Sequence, residues 1–224
     1  VGHGRGAAFG ASLANILETC GFDVFKEYYV NDAGRQIDIL TLSVWCRYLG
    51  LFSKCSAFPE KGYQGKYIEK FAEDLKEEFG DLWVRDVDFS YFVEDSEAIL
   101  DHFIQQAKTE LGAEYELLKQ RAIQEQVNSC KGDLHGFGVV FDQWFSEKSL
   151  FLEGSVENTI QKLESAGYVE SHDGAKWFKS TIFGDDKDRV LKKSNGEYTY
   201  FASDIAYHHD KFKRGYGRVI NIWG

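Results

Sequence analysis

The 224-residue sequence contains no methionine and only one proline, Pro59. A single proline rules out a proline-rich linker, and no internal repeat or low-complexity segment marks a domain junction. No run of 18 apolar residues is present, which excludes a membrane-spanning helix of ordinary length. No charged-then-apolar leader is present, so nothing indicates secretion. Since the chain also begins without a start methionine, we expect both ends to be cuts within a domain.

Cysteine is scarce, with four residues at positions 20, 46, 55 and 130. No two of them have the spacing of a zinc knuckle or a redox motif, and the chain is larger than a disulfide scaffold. We therefore expect reduced thiols and a cytoplasmic protein. Cys20 and Cys46 fall inside helical patterns, which predicts that both fill a core.

Basic residues are outnumbered, 26 against 36 acidic ones, and the net charge is −10. This balance argues against a general nucleic-acid binder. Nearly all of the excess lies between Glu69 and Asp101, where 12 residues are acidic and three are basic. The segment from Lys187 to Arg218 is locally basic, which predicts one basic surface. The charge runs of the helical block predict faces that are exposed to solvent.

The hydrophobic residues, 43% of the chain, follow an α/β pattern with a helical interruption. Residues 6–20 predict a helix closed by Gly21, and 22–30 predict a strand followed by a turn at 31–34. Apolar residues at helical spacing then predict a second helix, at positions 37, 40, 44, 48 and 51. Further helices are predicted at 67–79, 96–127, 155–167 and 202–214, and strands at 137–142, 177–182, 188–201 (a hairpin) and 218–223.

This order predicts a Rossmann-type parallel sheet interrupted by a largely helical connective insertion and truncated at both ends. The predicted parts are residues 1–58, the first half of the Rossmann domain, and 59–136, the insertion. Residues 137–224 would hold the strand return, the hairpin region and an incomplete second half.

The first residues resemble a nucleotide-binding turn. Gly2 leaves room for a flat ligand against backbone, His3 places an imidazole at the mouth of a helix, and Gly4 keeps the turn compact. Free N–H groups and the positive end of the helix dipole would meet there, which suits a phosphate. Alone, such a short run is also typical of a loop or a tag remnant.

Five blocks in a fixed order carry a family resemblance. They are VGHGRG (1–6), EYYVNDAGRQ (27–36), FDQWFSE (141–147), YTYFASDIAYHHDK (198–211) and RVINIWG (218–224). Together they resemble the catalytic domain of arginyl-tRNA synthetase, a class I aminoacyl-tRNA synthetase. The resemblance spans the whole chain.

The resemblance implies that arginine is activated with ATP and then transferred to the 3′-terminal ribose of tRNA(Arg). ATP with Mg²⁺ would be a substrate complex, and no cofactor would stay bound. The family's His-x-Gly-His signature lacks its leading His here, and the KMSK-like loop would lie beyond Gly224. We therefore expect this chain alone to be inactive, and the full-length protein to be a cytoplasmic monomer without a membrane partner.

The resemblance also implies roles for individual residues. Gly2, His3 and Gly4 would contact ATP, with His3 as the catalytic contact to the phosphates. Glu147, Tyr200 and Asp204 would hold the guanidinium group, because a carboxylate can pair with it bidentately. Asn31 would add an arginine contact from the turn after the first strand, beside Asp32, Gly34 and Gln36.

Each role has a structural alternative. Glu147 could be an acid on a surface loop, Asp204 a first-turn helix acid, Tyr200 a buried strand aromatic and Asn31 a turn residue. No metal site is expected, because the cluster at 185–188 is typical of a solvated turn. For the whole chain, the alternatives are another adenylyl-transferring enzyme (a different class I synthetase or a nucleotidylyltransferase) and a non-catalytic structural or interaction fragment.

Overall fold

The computed structural model describes residues 2–55, 57–87 and 97–223, with side chains from Gly4 onward. Val1, Ser96 and Gly224, which belong to predicted motifs or elements, lie outside the described residues. The helices and strands are α1 (Gly2–Thr19), β1 (Glu27–Val30), α2 (Arg35–Gly50), α3 (Lys66–Phe79), α4 (Glu97–Leu111), α5 (Glu114–Gly136), β2 (Gln143–Ser146), α6 (Glu147–Leu152), α7 (Ser155–Ser165), β3 (Val169–His172), β4 (Ala175–Phe178), a 3-10 helix (Ser180–Phe183), β5 (Arg189–Lys192) and α8 (Tyr200–Lys213).

The chain forms two compact units. The first joins residues 1–31 to 139–224, and the second consists of residues 32–138. The first unit contains a two-stranded parallel sheet, β1–β2, and a three-stranded antiparallel sheet, β3–β4–β5. The predicted α/β class is confirmed at this level. No helix among the described residues is both long and apolar enough to cross a membrane.

The first helix ends as its sequence predicts. Gly21 has φ 87°, a left-handed conformation that costs glycine little. Its N–H donates to the Glu18 carbonyl, and the Phe22 N–H donates to the Leu17 carbonyl. These two bonds form a Schellman motif, which satisfies carbonyls that the helix leaves open. The start differs from the prediction, since α1 begins at Gly2 and includes His3 in its first turn.

The last segment, 218–223, was predicted as a buried parallel strand, and this prediction is wrong. The segment has no regular secondary structure. Among the described residues no strand lies beside it to supply ladder hydrogen bonds, which a strand requires. Instead the Ile222 side chain packs on the glycines of α1, 3.4 Å from the Cβ position of Gly10 and 3.7 Å from that of Gly6. Trp223 is 76% exposed.

Two further predictions in the sequence are wrong in their boundaries. The sequence predicted a single helix over 96–127, but the structure has two helices, α4 and α5. Gly112 takes a left-handed φ of 52°, which ends α4. A strand at 137–142 is absent, and β2 begins only at Gln143, where it pairs with Glu27 of β1. The mostly apolar residues 137–141 form the turn that ends α5 and the irregular segment that leads to β2.

The predicted hairpin around Gly196 is present only in part. β5 reaches a turn in which the Lys193 N–H donates to the Glu197 carbonyl, and Lys192 bridges to Tyr198. The second arm ends there, because α8 begins at Tyr200. The strand predicted at 177–182 is replaced by the end of β4 and the 3-10 helix, and β3 was not predicted.

The second unit is built around α2. Leu42, Val44, Tyr48 and Leu49 of this helix have no exposed surface. The apolar residues of α2 cover more of the helix than the single stripe that is typical of a surface helix, and α2 is accordingly buried on most of its faces. The neighbouring helices α3, α4 and α5 contribute the rest of this core, together with the fully buried Trp83.

A buried carboxylate joins three helices of this unit. Asp38 of α2 accepts hydrogen bonds from Lys108 of α4 (2.8 Å) and from Lys119 and Tyr115 of α5 (both 2.9 Å). Its side chain is 13% exposed. Burial alone would raise the pKa of Asp38, but these donors together hold it below its usual value. The carboxylate therefore stabilises the packing of α2 against α4 and α5.

We expect Asp38→Asn in the complete protein to destabilise α4 and α5 by about 3 kcal/mol, because two lysines lose their buried carboxylate. Native-state hydrogen exchange of the α4 and α5 amides would measure this. The folded pKa is lowered, so the stabilisation is present above the ordinary Asp pKa of about 3.9 and is lost as the pH falls through the folded value. Asp133→Asn, on the exposed side of α5, should change protection by less than about 0.5 kcal/mol. Equal effects of the two variants would contradict the prediction.

Candidate functional site

The carboxyl ends of β1 and β2 place two polar residues at one edge of the parallel sheet. The register pairs Val30 with Ser146, so Asn31 and Glu147 leave the sheet side by side. Ligands of open α/β sheets bind beyond this edge. Two of the predicted arginine-binding residues, distant in sequence, are therefore neighbours in the backbone.

Glu147 is held at this edge by the start of α6. The Ser146 hydroxyl accepts a hydrogen bond from the Ser149 N–H at 3.3 Å, which caps the helix and makes Glu147 its first residue. Glu147 is only 4% exposed. The alternative that it is a surface loop acid is wrong.

The helix α8 lies against the same two strands. The Tyr207 ring packs against Tyr29 of β1 and Phe145 of β2. Its centroid lies 4.6 Å from that of Tyr29 and 4.7 Å from that of Phe145. Ser203 and Tyr207 are one turn apart on the buried face of α8, and Asp204 is next to Ser203. Asp204 is the fifth residue of α8, so the alternative of a first-turn acid is also wrong.

The Tyr29 side chain brings the two predicted carboxylates together. Its hydroxyl lies within electrostatic reach of both Glu147 and Asp204, and beside the Ser203 hydroxyl. Burial raises the pKa of Tyr29 well above its usual value, and the negative charge of Glu147 raises it further. The phenol therefore stays protonated. Glu147 of α6 and Asp204 of α8 thus both act electrostatically on Tyr29, which is partly buried.

Opposing effects act on the pKa of Asp204. Burial raises its pKa above the usual range, while the charges of His208 and Lys211 act in the opposite direction. His208 is itself fixed, with Nδ1 2.8 Å from the Asp204 carbonyl oxygen and Nε2 3.0 Å from the Asn221 amide nitrogen. A bound cation next to Asp204 would remove the cost of burying its charge, which favours a positively charged ligand there.

Of the other predicted site residues, Tyr200, Asn31 and Gly4 lie at exposed positions. Tyr200 is 70% exposed at the first residue of α8, one turn before Asp204, so the alternative of a buried strand aromatic is wrong. Asn31 is exposed directly after β1. Gly2, His3 and Gly4 form the first turn of α1, and open space surrounds the Cβ position of Gly4. The side chain of His3 lies outside the described part of the chain.

An ion pair beneath the site was missed by sequence reasoning. Arg214, after the end of α8, donates to both carboxylate oxygens of Glu27 in β1, at 2.6 and 3.0 Å. The Tyr207 hydroxyl donates to the same carboxylate. Burial alone would raise the pKa of Glu27, but these donors hold it below the usual value. This network fixes the Tyr207 side chain against β1, and the Tyr207 ring in turn packs on the Tyr29 side chain.

The acidic cluster after the 3-10 helix is a structural turn, as expected. Arg189 donates to both oxygens of Asp185, each at 2.7 Å, and pairs with Asp186 at 3.1 Å. Asp188 accepts from the backbone N–H and the hydroxyl of Thr181. Within residues 2–55, 57–87 and 97–223, no group of three or more His, Cys, Asp or Glu side chains could hold a metal ion.

Comparison with known proteins gives these residues a family. No protein-family model matches the chain. The arginine–tRNA ligase of Nitrosospira multiformis is 51% identical over the whole chain, which covers 39% of that protein. The arginine–tRNA ligase of Aromatoleum aromaticum is 49% identical, again over the whole chain and 41% of its own length. The chain belongs to the arginyl-tRNA synthetase family.

Solved structures agree with this assignment. An arginyl-tRNA synthetase structure from Campylobacter jejuni matches with a TM-score of 0.72 at 33% identity, covering the whole chain and 44% of its own. The Thermus thermophilus arginyl-tRNA synthetase, at 22% identity and a TM-score of 0.56, shares the fold over 93% of the chain and 32% of its own. The chain spans about two-fifths of the length of the curated arginyl-tRNA synthetase relatives. The family resemblance predicted from the five blocks is thus confirmed, and the alternative of a different adenylyl-transferring enzyme is not favoured.

Proposed function

We propose that the complete protein is an arginine–tRNA ligase, which activates arginine with ATP to arginyl-adenylate and transfers it to the 3′-terminal ribose of tRNA(Arg). The observation that carries this proposal is that buried Glu147 leaves the carboxyl edge of β1 and β2, and that α8, which carries Asp204, packs on the same two strands. A planar, permanently charged group is what two such carboxylates would select. The names of the relatives support the same reaction.

The arginine guanidinium would lie between the two acids. Each charge-assisted hydrogen bond contributes roughly 1.5–3 kcal/mol, so two carboxylates would discriminate strongly against an uncharged analogue. The protonated Tyr29 hydroxyl can donate to one carboxylate and so orient it. Tyr200, exposed one turn before Asp204, would be the third guanidinium partner, and the exposed Asn31 would add a further arginine contact.

ATP would bind at the start of α1. Gly2 and Gly4 leave the backbone N–H groups accessible, and the helix dipole favours the phosphates there. His3 would donate to the phosphates as negative charge develops around the α-phosphorus during attack by the arginine carboxylate. Mg²⁺ would enter with ATP as part of the substrate, held mainly by phosphate oxygens and water.

The finer architecture is part of the proposal. β1 and β2 would be strands of a Rossmann-type sheet, with the predicted insertion at 59–136 between its halves. The parallel pairing of β1 with β2 supports the sheet. The second compact unit, residues 32–138, contains the predicted insertion but begins before it, since it also includes α2. We also propose a cytoplasmic location, which the four free thiols support, and a monomeric full-length protein.

Amino-acid-dependent ATP–pyrophosphate exchange tests the function. With tRNA(Arg) present, since the resemblance implies that activation waits for it, we expect the complete enzyme to exchange with arginine. With citrulline, kcat/KM should fall by at least about 100-fold, because the uncharged ureido group leaves both carboxylates unpaired. Comparable rates with citrulline or lysine would contradict the arginine site.

The polypeptide 1–224 by itself should show little or no exchange in the same assay. It covers about two-fifths of the length of its relatives, and the family resemblance implies that the KMSK-like loop is not among its residues. Circular dichroism of the same sample would report whether the polypeptide is folded. Robust arginine-dependent exchange by this polypeptide would show that residues 1–224 are sufficient.

A further inference from the structure

Two of the four cysteines share a cavity in the second unit. A cavity of about 360 Å³, open to solvent, lies beside the C-terminal half of α2. Cys46, Arg47 and Gly50 line it from the helix, and Cys55 and Phe58 line it from the segment that follows. All four cysteines of the chain are free thiols. The pair is independent of the proposed arginine site, because it lies in the other unit.

The backbone brings the two thiols to the same side of α2. Cys46 and Gly50 are one turn apart, so they share a helix face. The chain turns back after α2 and places the Cys55 carbonyl oxygen 3.7 Å from the Cβ position of Gly50. Cys46 and Cys55 therefore border the same cavity, and each thiol affects the pKa of the other.

The two thiols differ in access and in acidity. Cys46 is 2% exposed, and burial raises its pKa well above the usual value. Cys55 is half-buried, and its pKa is lowered by the hydrogen bond from Cys46 and by the charge of Arg47. Burial of Cys55 acts in the opposite direction, whereas its hydrogen bond with the Ala57 backbone lowers the pKa further. The net direction makes Cys55 the more reactive of the pair.

Arg47 lines the same cavity as Cys55, and its side chain is held by two contacts. Its guanidinium lies over the Phe58 ring, 4.0 Å from the centroid, and 3.5 Å from a Glu69 carboxylate oxygen. A held cation beside an accessible thiol, with a second thiol behind it, is the arrangement of a reactive cysteine with a resolving partner.

We propose that Cys46 and Cys55 form a reversible, hydroperoxide-sensitive disulfide that ties the last turn of α2 to the segment after it. The Cys55 thiolate attacks a peroxide oxygen, the O–O bond breaks, and water or an alcohol leaves after taking up a proton. This gives a sulfenic acid at Cys55. The Cys46 sulfur then attacks the Cys55 sulfur, the S–O bond breaks, and the Cys46 proton leaves with the hydroxyl group as water. The peroxide is reduced by two electrons, and the two thiols are oxidised to the disulfide.

Peptide mapping of the full chain tests this directly. Trypsin cuts after Arg35, Arg47, Lys54 and Lys61, so Cys46 falls in peptide 36–47 and Cys55 in peptide 55–61. After treatment with hydrogen peroxide and blocking of free thiols, we expect these two peptides to appear joined, two hydrogen atoms lighter than their sum. Dithiothreitol should release them. The linked peptide should accumulate at least about tenfold faster than oxidation of the exposed Cys20, which has no thiol partner.

Single variants identify the two roles. In Cys46→Ser, Cys55 should stop at the sulfenic acid and be trapped by dimedone, whereas in Cys55→Ser, Cys46 should stay reduced. The double variant Cys20→Ser/Cys130→Ser, which keeps the pair, should form the linked peptide at the parent rate. Equal oxidation of Cys20 and Cys55, or a peroxide-treated chain without the joined peptide, would overturn the proposal. Dimedone labelling of Cys46 in Cys55→Ser would overturn the assignment of roles.

Discussion

Glu147→Gln in the complete enzyme is expected to raise the KM for arginine by about 100-fold, with a smaller change in kcat. Glu147 is almost fully buried at the sheet edge, so its carboxylate and the guanidinium would interact away from water. Loss of one member of such a hydrogen-bonded charge pair costs about 2–5 kcal/mol, and each 1.4 kcal/mol is a factor of ten. Steady-state aminoacylation kinetics with varied arginine would measure the change.

Asp204→Asn should have a smaller effect, an increase in KM of at least about tenfold, because Asp204 is less buried than Glu147. The matched control is Glu197→Gln, the same chemical change at a side chain that is 63% exposed and pairs with Lys193. It should change the arginine KM by less than about twofold. Unchanged arginine kinetics in both Glu147→Gln and Asp204→Asn would remove the assignment of this site to arginine.

Local signals predicted the elements whose ends are fixed by backbone geometry. Gly21 and Gly34, both with positive φ, lie at the end of α1 and at the start of α2, as the turn chemistry indicates. The period of the apolar residues identified α2 and α3. Where tertiary contacts decide, the same signals gave wrong elements. The strand predicted at 137–142 has suitable residues, but the pairing of Glu27 with Gln143 sets where β2 begins.

Only the family resemblance could connect Glu147 with Asp204 in advance. Nothing in local sequence relates the first residue of a short helix to the fifth residue of another. Tyr29 and Glu27 could have been noticed, because the alternation of a strand puts residues two apart on one face. Their partners Tyr207 and Arg214 are distant in sequence, so this network became visible only in the folded chain. The Cys46–Cys55 pair was missed for a similar reason, since Cys46 was expected only to fill the core; Cys20, expected there too, is exposed.

Glu27→Gln is expected to destabilise the first unit by about 3 kcal/mol, because Arg214 would lose a carboxylate that is nearly buried. The Glu27 side chain is 9% exposed and that of Arg214 is 24% exposed, so solvent screens the pair little. The remaining contacts of Arg214, to Asp210 at 2.9 Å and Gln143 at 3.3 Å, keep the loss at the lower end of the range for buried pairs. Native-state hydrogen exchange of the α8 amides in the complete protein would measure it.

The pH dependence separates this pair from a general packing defect. Because the folded pKa of Glu27 is lowered, its stabilisation is present above the ordinary Glu pKa of about 4.3 and disappears as the pH falls through the folded value. The difference in α8 protection between the parent and Glu27→Gln should therefore narrow on acidification. Tyr207→Phe, which keeps the ring against Tyr29, should cost only about 1 kcal/mol, and Glu197→Gln less than about 0.5 kcal/mol. A difference that stays constant down to low pH would mean that the charge of Glu27 is not what holds α8 against β1.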